Sequence, residues 1–240
     1  MTLVWSPGYT PLDASYSSVS LLLHGDGPNG STTITDSSPS PKTVTAVGNA
    51  QISTAQSKFG GASILLDGNG DNLSTPDSDA FYLPADFTIE CHLYAVSWAG
   101  HGGFVYFAGQ YQISDYSPVL PFFNSGVPGI GAYAAPASFS FVNATSGAAI
   151  PLNTWTHVAW VRSGNRWSVF VDGTERLLAA SASGTPYNST APFVIGRHTF
   201  VDPPGYAFNG YIDDFRITKV ARYTANFTPP TEPFPDRTDG

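Results

Sequence analysis

The run NTWTHVAWVRSGNRWSVFVDGTERLL (Asn153–Leu178) narrows the folds open to this chain more than any other stretch. Thr154–Arg162 and Arg166–Val171 are rich in β-branched and aromatic residues and are joined by Ser163-Gly164-Asn165. Asp172-Gly173 then turns the chain into a third run, the pattern of a three-strand antiparallel meander. Asp86–Val96 (DFTIECHLYAV) alternates as a strand with one buried side does. Phe87, Ile89, Cys91 and Leu93 point one way, and Thr88, Glu90, His92 and Tyr94 the other. Strand signals recur at Ser18–Gly27, in APFVIGRH, and more weakly at Gly103–Phe107 and Ala137–Val142. Ala62–Pro76 reads as a hairpin turning at Gly68-Asn69-Gly70. Beyond one short turn near the C-terminus, no helical period of useful length appears. A single sheet this long would leave apolar faces and edges in water, so the pattern predicts an all-β, antiparallel two-sheet sandwich. The 240 residues, 42% hydrophobic, suffice for one large core. Phe87, Ile89, Leu66, Phe215 and the tryptophans Trp155 and Trp160 are its expected centre. The two tryptophans differ in parity, so at most one faces the inter-sheet core unless a bulge separates them.

The last long run, FNGYIDDFRI (Phe208–Ile217), breaks its own alternation. Ile212 fits one face, and Phe215 and Ile217 want the same face one residue out of step. One extra residue at Asp213-Asp214, a β-bulge, restores the register. Three uses of the two carboxylates stay open: bonds to nearby backbone N–H groups or Arg216, a structural Ca²⁺ site completed by Asp26 or Asp67, or a catalytic dyad. The dyad is disfavoured, because neighbours on one strand diverge whereas glycosidase carboxylates face each other across a bond.

Other chemistry is excluded more simply. A net charge of −8 argues against nucleic acid. The single cysteine, Cys91, allows no intrachain disulfide and reads as a small buried hydrophobe. No apolar stretch is long enough to span a membrane. The opening MTLVWSPGYT lacks the basic and apolar regions of a secretion signal. The five histidines have neither zinc spacing nor a cysteine partner, and His157 reads as a structural strand residue. No nucleotide-binding loop or nucleophile elbow is present.

Three stretches together resemble a known family: KFGGASILLDGNGDNLSTPDSDAFYLPADFTIECHLY, NTWTHVAWVRSGNRWSVFVDGT and FNGYIDDFRITKVARYTANFTPP. Their order and spacing are similar to those of the laminin-G-like, concanavalin A-like lectin/glucanase domain, over about residues 19–230. The resemblance implies a jelly-roll sandwich. It also carries the calcium idea, since such domains often hold a structural calcium near the closing strand, with Asp213 at the motif position. The closing YIDDFRITKVARYTANFTPPT looks most like copies in bacteriophage and prophage virion proteins. Cys91-His92 departs from the family, which commonly has a small residue and Trp there.

Domain organisation follows as an extended arm over residues 1–17, the sandwich over 18–227 and a Pro-rich tail over 228–240. Val4, Trp5, Tyr9, Leu12 and Tyr16 make the arm apolar enough to dock on a neighbour. The first functional reading is a non-enzymatic virion protein (capsid decoration, tail or fibre), located in the virion, partnered by other virion proteins and by copies of itself, and requiring no cofactor. The alternative is a carbohydrate-binding module. Its candidate site is the aromatic segment with Trp98, His101, Tyr106, Tyr111, Asp115 and Tyr116, and with Trp167 and Tyr206 as secondary candidates. A glycan hydrolase is a distant third.

Overall fold

The computed structural model describes residues 12–98, 101–110, 117–135, 140–197 and 206–237; the side chain of His101 is outside this set. Among these residues the strands are β1 (Val19–Leu23), β2 (Thr33–Ile34), β3 (Val44–Val47), β4 (Gln51–Ser53), β5 (Ser63–Asp67), β6 (Asn72–Thr75), β7 (Phe87–Ser97), β8 (Phe104–Tyr106), β9 (Ala108–Gln110), β10 (Val119–Asn124), β11 (Val127–Tyr133), β12 (Ser140–Thr145), β13 (Trp155–Ser163), β14 (Arg166–Val171), β15 (Thr174–Ala179), β16 (Phe193–Ile195) and β17 (Asn209–Thr218). The large sheet runs β15-β14-β13-β7-β17-β5-β4, with β1 also paired to β17. Two smaller sheets, β2-β3-β6-β16-β9 and β12-β11-β10-β8, make the second layer. All the strand pairs are antiparallel. No helix among the described residues is long and apolar enough to cross a membrane.

The predicted meander is β13-β14-β15. One apolar cluster fills the space between the layers. It joins Phe87, Ile89, Trp160 and Phe215 of the large sheet to Leu73, Phe123, Ile130 and Phe193 of the smaller ones. Parity separates the two tryptophans as anticipated. Trp160 is fully buried, its Nε1 donating to the Gly129 carbonyl at 2.9 Å, while Trp155 is half-buried on the outer face.

Two readings of the sequence need correction. The run Ala62–Pro76 is not a hairpin. β5 joins the large sheet and β6 a small one, so the Gly68-Asn69-Gly70 turn carries the chain from one layer to the other. Asp71 holds that corner by accepting from the Asn49 N–H at 2.6 Å and the Asp67 N–H at 2.9 Å. Nor does β7 have only one buried side, since Thr88, Glu90 and His92 are as buried as the core residues opposite. The C-terminal segment covers them.

That cover is made by apolar contacts, Tyr223 and Phe227 packing on Ala159, Val161 and Phe170, and by a buried charge network. Glu90 Oε1 accepts from Arg216 Nε at 2.9 Å and Nη2 at 2.7 Å, and Glu90 Oε2 accepts from the Tyr223 hydroxyl at 2.8 Å. His157 Nε2 lies 3.2 Å from the same oxygen. Asp13 completes the network, bound by Arg222 at 2.6 Å and Arg216 at 3.2 Å. Burial works to raise the Glu90 carboxyl, but Arg216, His157 and Arg222 hold it well below the usual carboxylate range. Phe234 closes the cluster, with the Arg216 guanidinium 3.8 Å from its ring centre.

Composition assigns residues 12–17 and 228–237 to an arm and a tail, and both lie against this domain. Asp13 N–H donates to the Arg237 carbonyl, Tyr16 donates to the Ser37 carbonyl, and Phe234 packs with Val19 and Leu22. Leu12 stays exposed, and Val4, Trp5 and Tyr9 lie outside the described residues. Removing one member of a buried ion network strands the others at a cost of about 3–5 kcal/mol. Glu90→Gln is therefore expected to lower the unfolding free energy in urea by that amount, and a variant as stable as the parent would refute the network's role.

Candidate functional site

Strand β17 changes partners midway. Asn209–Ile212 pair with β5, and Phe215–Thr218 pair with β1, which abuts β5 on the same side. The bulge falls at the junction, where pairing with β7 slips between Asp213 and Arg216 and Asp214 takes φ +52. Ile212, Phe215 and Ile217 are thereby all buried. The two carboxylates tie in the loops that meet there. Asp213 Oδ2 accepts from Lys58 N–H at 2.7 Å and Phe59 N–H at 3.0 Å, on the approach to β5. Asp214 bonds the His24 ring just after β1 and accepts from the Phe234 N–H at 2.6 Å. Arg216 bonds neither carboxylate; it pairs with Glu90 and Asp13.

The calcium donor set is not assembled. Asp26 is exposed near Asp213, but Asp67 belongs to the other corner, where it accepts from Asn69 N–H at 2.7 Å. Among the described residues no group of three or more His, Cys, Asp or Glu side chains is arranged to hold a metal ion. Burial pushes the Asp213 carboxyl up to about 7, with Asp214 and Asp26 adding to the rise despite the two N–H donors.

Past the bulge, the outer face of the large sheet opens. Register places Trp155 opposite Tyr94, Tyr94 opposite Tyr211, Tyr211 opposite Leu65, and Leu65 opposite Gln51. All five are half-buried. The ring centres of Trp155 and Tyr94 are 5.7 Å apart, and those of Tyr94 and Tyr211 5.9 Å. Gly210 permits this alignment, because a side chain there would strike the Tyr94 carbonyl. A polar row runs beside the rings. Asn209 lies opposite Asp67, whose Oδ2 accepts from Asn49 Nδ2 at 3.3 Å. A cleft of about 480 Å³ continues the row between Thr32, Asn49, Gln51, Leu65 and Asp67. On the other side the face is closed by Phe59, Phe234 and the buried imidazoles of His92 and His157. Burial, with His157 and Lys58 adding, pushes His92 down to about 3, so it stays neutral there.

The segment singled out from the sequence is dispersed. Trp98 packs on Phe123 and Phe208 of the core and donates Nε1–H to the Ile150 carbonyl at 3.0 Å. Tyr106 stacks on Tyr206 at 4.9 Å, on the outer face of the second layer beside Phe104. His101 opens a short 3-10 turn, and Tyr111, Asp115 and Tyr116 lie outside the described residues. Trp167 is fully buried against Phe87. Sequence reasoning missed Tyr94 and Tyr211. Their outward parity was readable, but their alignment with Trp155 depends on register between distant strands.

Residues 67–226 match the Laminin_G_3 family model, described as the concanavalin A-like lectin/glucanases superfamily. No curated protein matches by sequence. Among solved structures, the binding domain of Paraclostridial Mosquitocidal Protein 1 superposes with a TM-score of 0.65 and 13% identity, covering 87% of this chain and 50% of that one. A structure of botulinum neurotoxin type C, whose cell entry is described as dependent on two ganglioside molecules, gives 0.64, 13%, 87% and 49%. Domain 4 of AbnA, a GH43 extracellular arabinanase from Geobacillus stearothermophilus in complex with arabinotriose, gives 0.54, 17%, 85% and 93%. The chain thus spans about half the length of the toxin domains. At these identities the likeness shows the fold.

Asp213 supplies a pH test. Its folded value lies above the ordinary 3.8, so the stability it adds is complete below that value and is lost as pH rises through about 7. In urea melts, Asp213→Asn should gain on the parent by about 1.4 kcal/mol per unit between pH 4 and 7 and level off above. A difference independent of pH would contradict this. EDTA is expected to leave the parent's melting temperature unchanged at pH 7, and a drop reversed by Ca²⁺ would restore the calcium reading.

Proposed function

We propose a non-catalytic glycan-binding role for this chain, which belongs to the concanavalin A-like lectin/glucanases superfamily. The carrying observation is the Trp155–Tyr94–Tyr211 row with amides and a carboxylate alongside. A sugar ring has one apolar face, which stacks on aromatic side chains, and a rim of hydroxyls, which need donors and acceptors such as Asn209, Asn49 and Gln51. Neighbours of the same fold include a domain crystallised with arabinotriose and a toxin whose entry depends on gangliosides, which supports binding as the use of the sandwich. Hydrolysis is disfavoured at this face. Its exposed carboxylate, Asp67, has beside it only Asp71, which is buried and accepts from the Asp67 and Asn49 N–H groups, so the two do not face each other across an open site.

The finer reading is that the glycan lies on a host surface and the chain is a phage virion component, self-associating through the segment with Val4, Trp5 and Tyr9. It is supported by the likeness of the closing run Tyr211–Thr231 to virion copies. Co-purification with intact particles tests it, and recovery only as free protein would remove it.

The binding reading is tested on a glycan array followed by calorimetry. Binding without release of reducing ends is expected. Tyr94→Ala or Trp155→Ala should weaken it about tenfold, the loss of one good aromatic contact. Tyr106→Ala should leave it unchanged. Binding that survives both outer-face variants, or hydrolysis of the bound glycan, would overturn the assignment.

A further inference from the structure

We infer that the aromatic row and the cleft beside it form one continuous site for an internal stretch of an uncharged polysaccharide, lying across the strands from Trp155 to the Asn49–Gln51 edge. The inference rests on the glycan-binding reading and adds the ligand's direction, length and charge.

Direction follows from what closes the face. The row Trp155, Tyr94, Tyr211, Leu65, Gln51 crosses five adjacent strands. Along one long side stand Phe59 and Phe234 over His92, so a chain running parallel to the strands would meet them. Among the described residues no strand flanks the Trp155 end, since β13 begins pairing with β14 only at Val158. At the other end β4 is the last strand of the large sheet, its Ile52 bonded to the backbone of Gly30 and Ser31, and the cleft bordered by Thr32 and Gln51 continues the floor. A site open at one end and leading into a cleft at the other takes a chain longer than the row and does not enclose its terminus.

Length follows from strand spacing. Four steps of about 4.8 Å span about 19 Å, room for roughly four sugar rings. The floor changes along that span. Three aromatic rings offer stacking, Leu65 continues the apolar floor, and Gln51 and Asn49 beside the cleft offer both donors and acceptors. Single rings therefore touch only part of the site, and affinity is gained from several contacts made together.

Charge selects against acidic polymers. No Lys or Arg stands in the row, Asp67 is exposed beside it, and the chain carries a net −8. A uronic acid or sulfate ester would place like charge next to Asp67 with no Lys or Arg of the row to offset it, and Arg197 at that corner is engaged with the Gly70 carbonyl at 3.0 Å.

The experiment is calorimetric titration of the whole protein with size ladders, from one to six rings, of arabino-, xylo-, cello- and manno-oligosaccharides, each also in reduced-end form, and with polygalacturonic acid. For the series that binds, affinity should rise at least tenfold from one ring to four and then level off. Reduction of the end should change nothing, and polygalacturonic acid should not bind. Gln51→Ala should weaken the six-ring ligand at least threefold and leave the two-ring ligand unchanged. Equal affinity for one ring and six, or loss of binding on reduction, overturns the extended site while leaving glycan binding intact. Tighter binding of polygalacturonic acid overturns the charge selection. No binding to any of the probes overturns the glycan reading and this inference with it.

Discussion

The bulge at Asp213-Asp214 is the constraint on which the rest of the large sheet depends. A continuous β17 would have to pair with one strand along its length. It instead pairs with β5 and then with β1, and the two must end against each other. The extra residue absorbs the mismatch and lets Ile212, Phe215 and Ile217 face the core together. The carboxylates freed by it are used at once. Asp213 holds the loop entering β5, and Asp214 holds His24 and the backbone of Phe234. Because Phe234 belongs to the C-terminal segment, the same residue pair also fixes where that segment lies.

The segment divides the outer face of the large sheet in two. One half is closed over Glu90, Arg216, Asp13 and the histidines, a charge network tolerable only because each member is paired or neutral. Among the described residues the other half is left half-buried or exposed, and there Trp155 of β13, Tyr94 of β7 and Tyr211 of β17 stand side by side. The closed half is what makes the open half a directional surface. It supplies a wall along one side, and the bulge sets how far that wall reaches.

Strand content, the meander and the core face of β7 were legible in the residues, because alternation and turn chemistry are local. So was the bulge, since Ile212 cannot share a buried face with Phe215 and Ile217 without it. The opposite fates of Trp155 and Trp160 followed from parity alone. What could not be read were features set by distant partners. The Gly68-Asn69-Gly70 turn carries hairpin chemistry yet crosses between layers, because Leu66 and Leu73 are both needed in the core from opposite sheets. The Pro-rich C-terminus looks like a tail until Arg216 and Glu90 are seen to require cover. The aromatic segment around Trp98 drew attention by density, whereas the row that lines up is scattered over Tyr94, Trp155 and Tyr211, and only register brings these together.

The central claim is that ligand lies on the open half of the large sheet. Indole N–H resonances test it most directly. Trp98, Trp160 and Trp167 each donate to a backbone carbonyl inside the protein, whereas Trp155 lies on the outer face. In a ¹⁵N-labelled sample titrated with a binding oligosaccharide, the Trp155 indole signal should move progressively to saturation while those of Trp98, Trp160 and Trp167 stay in place. A saturable titration in which the Trp155 signal does not move would contradict the assignment.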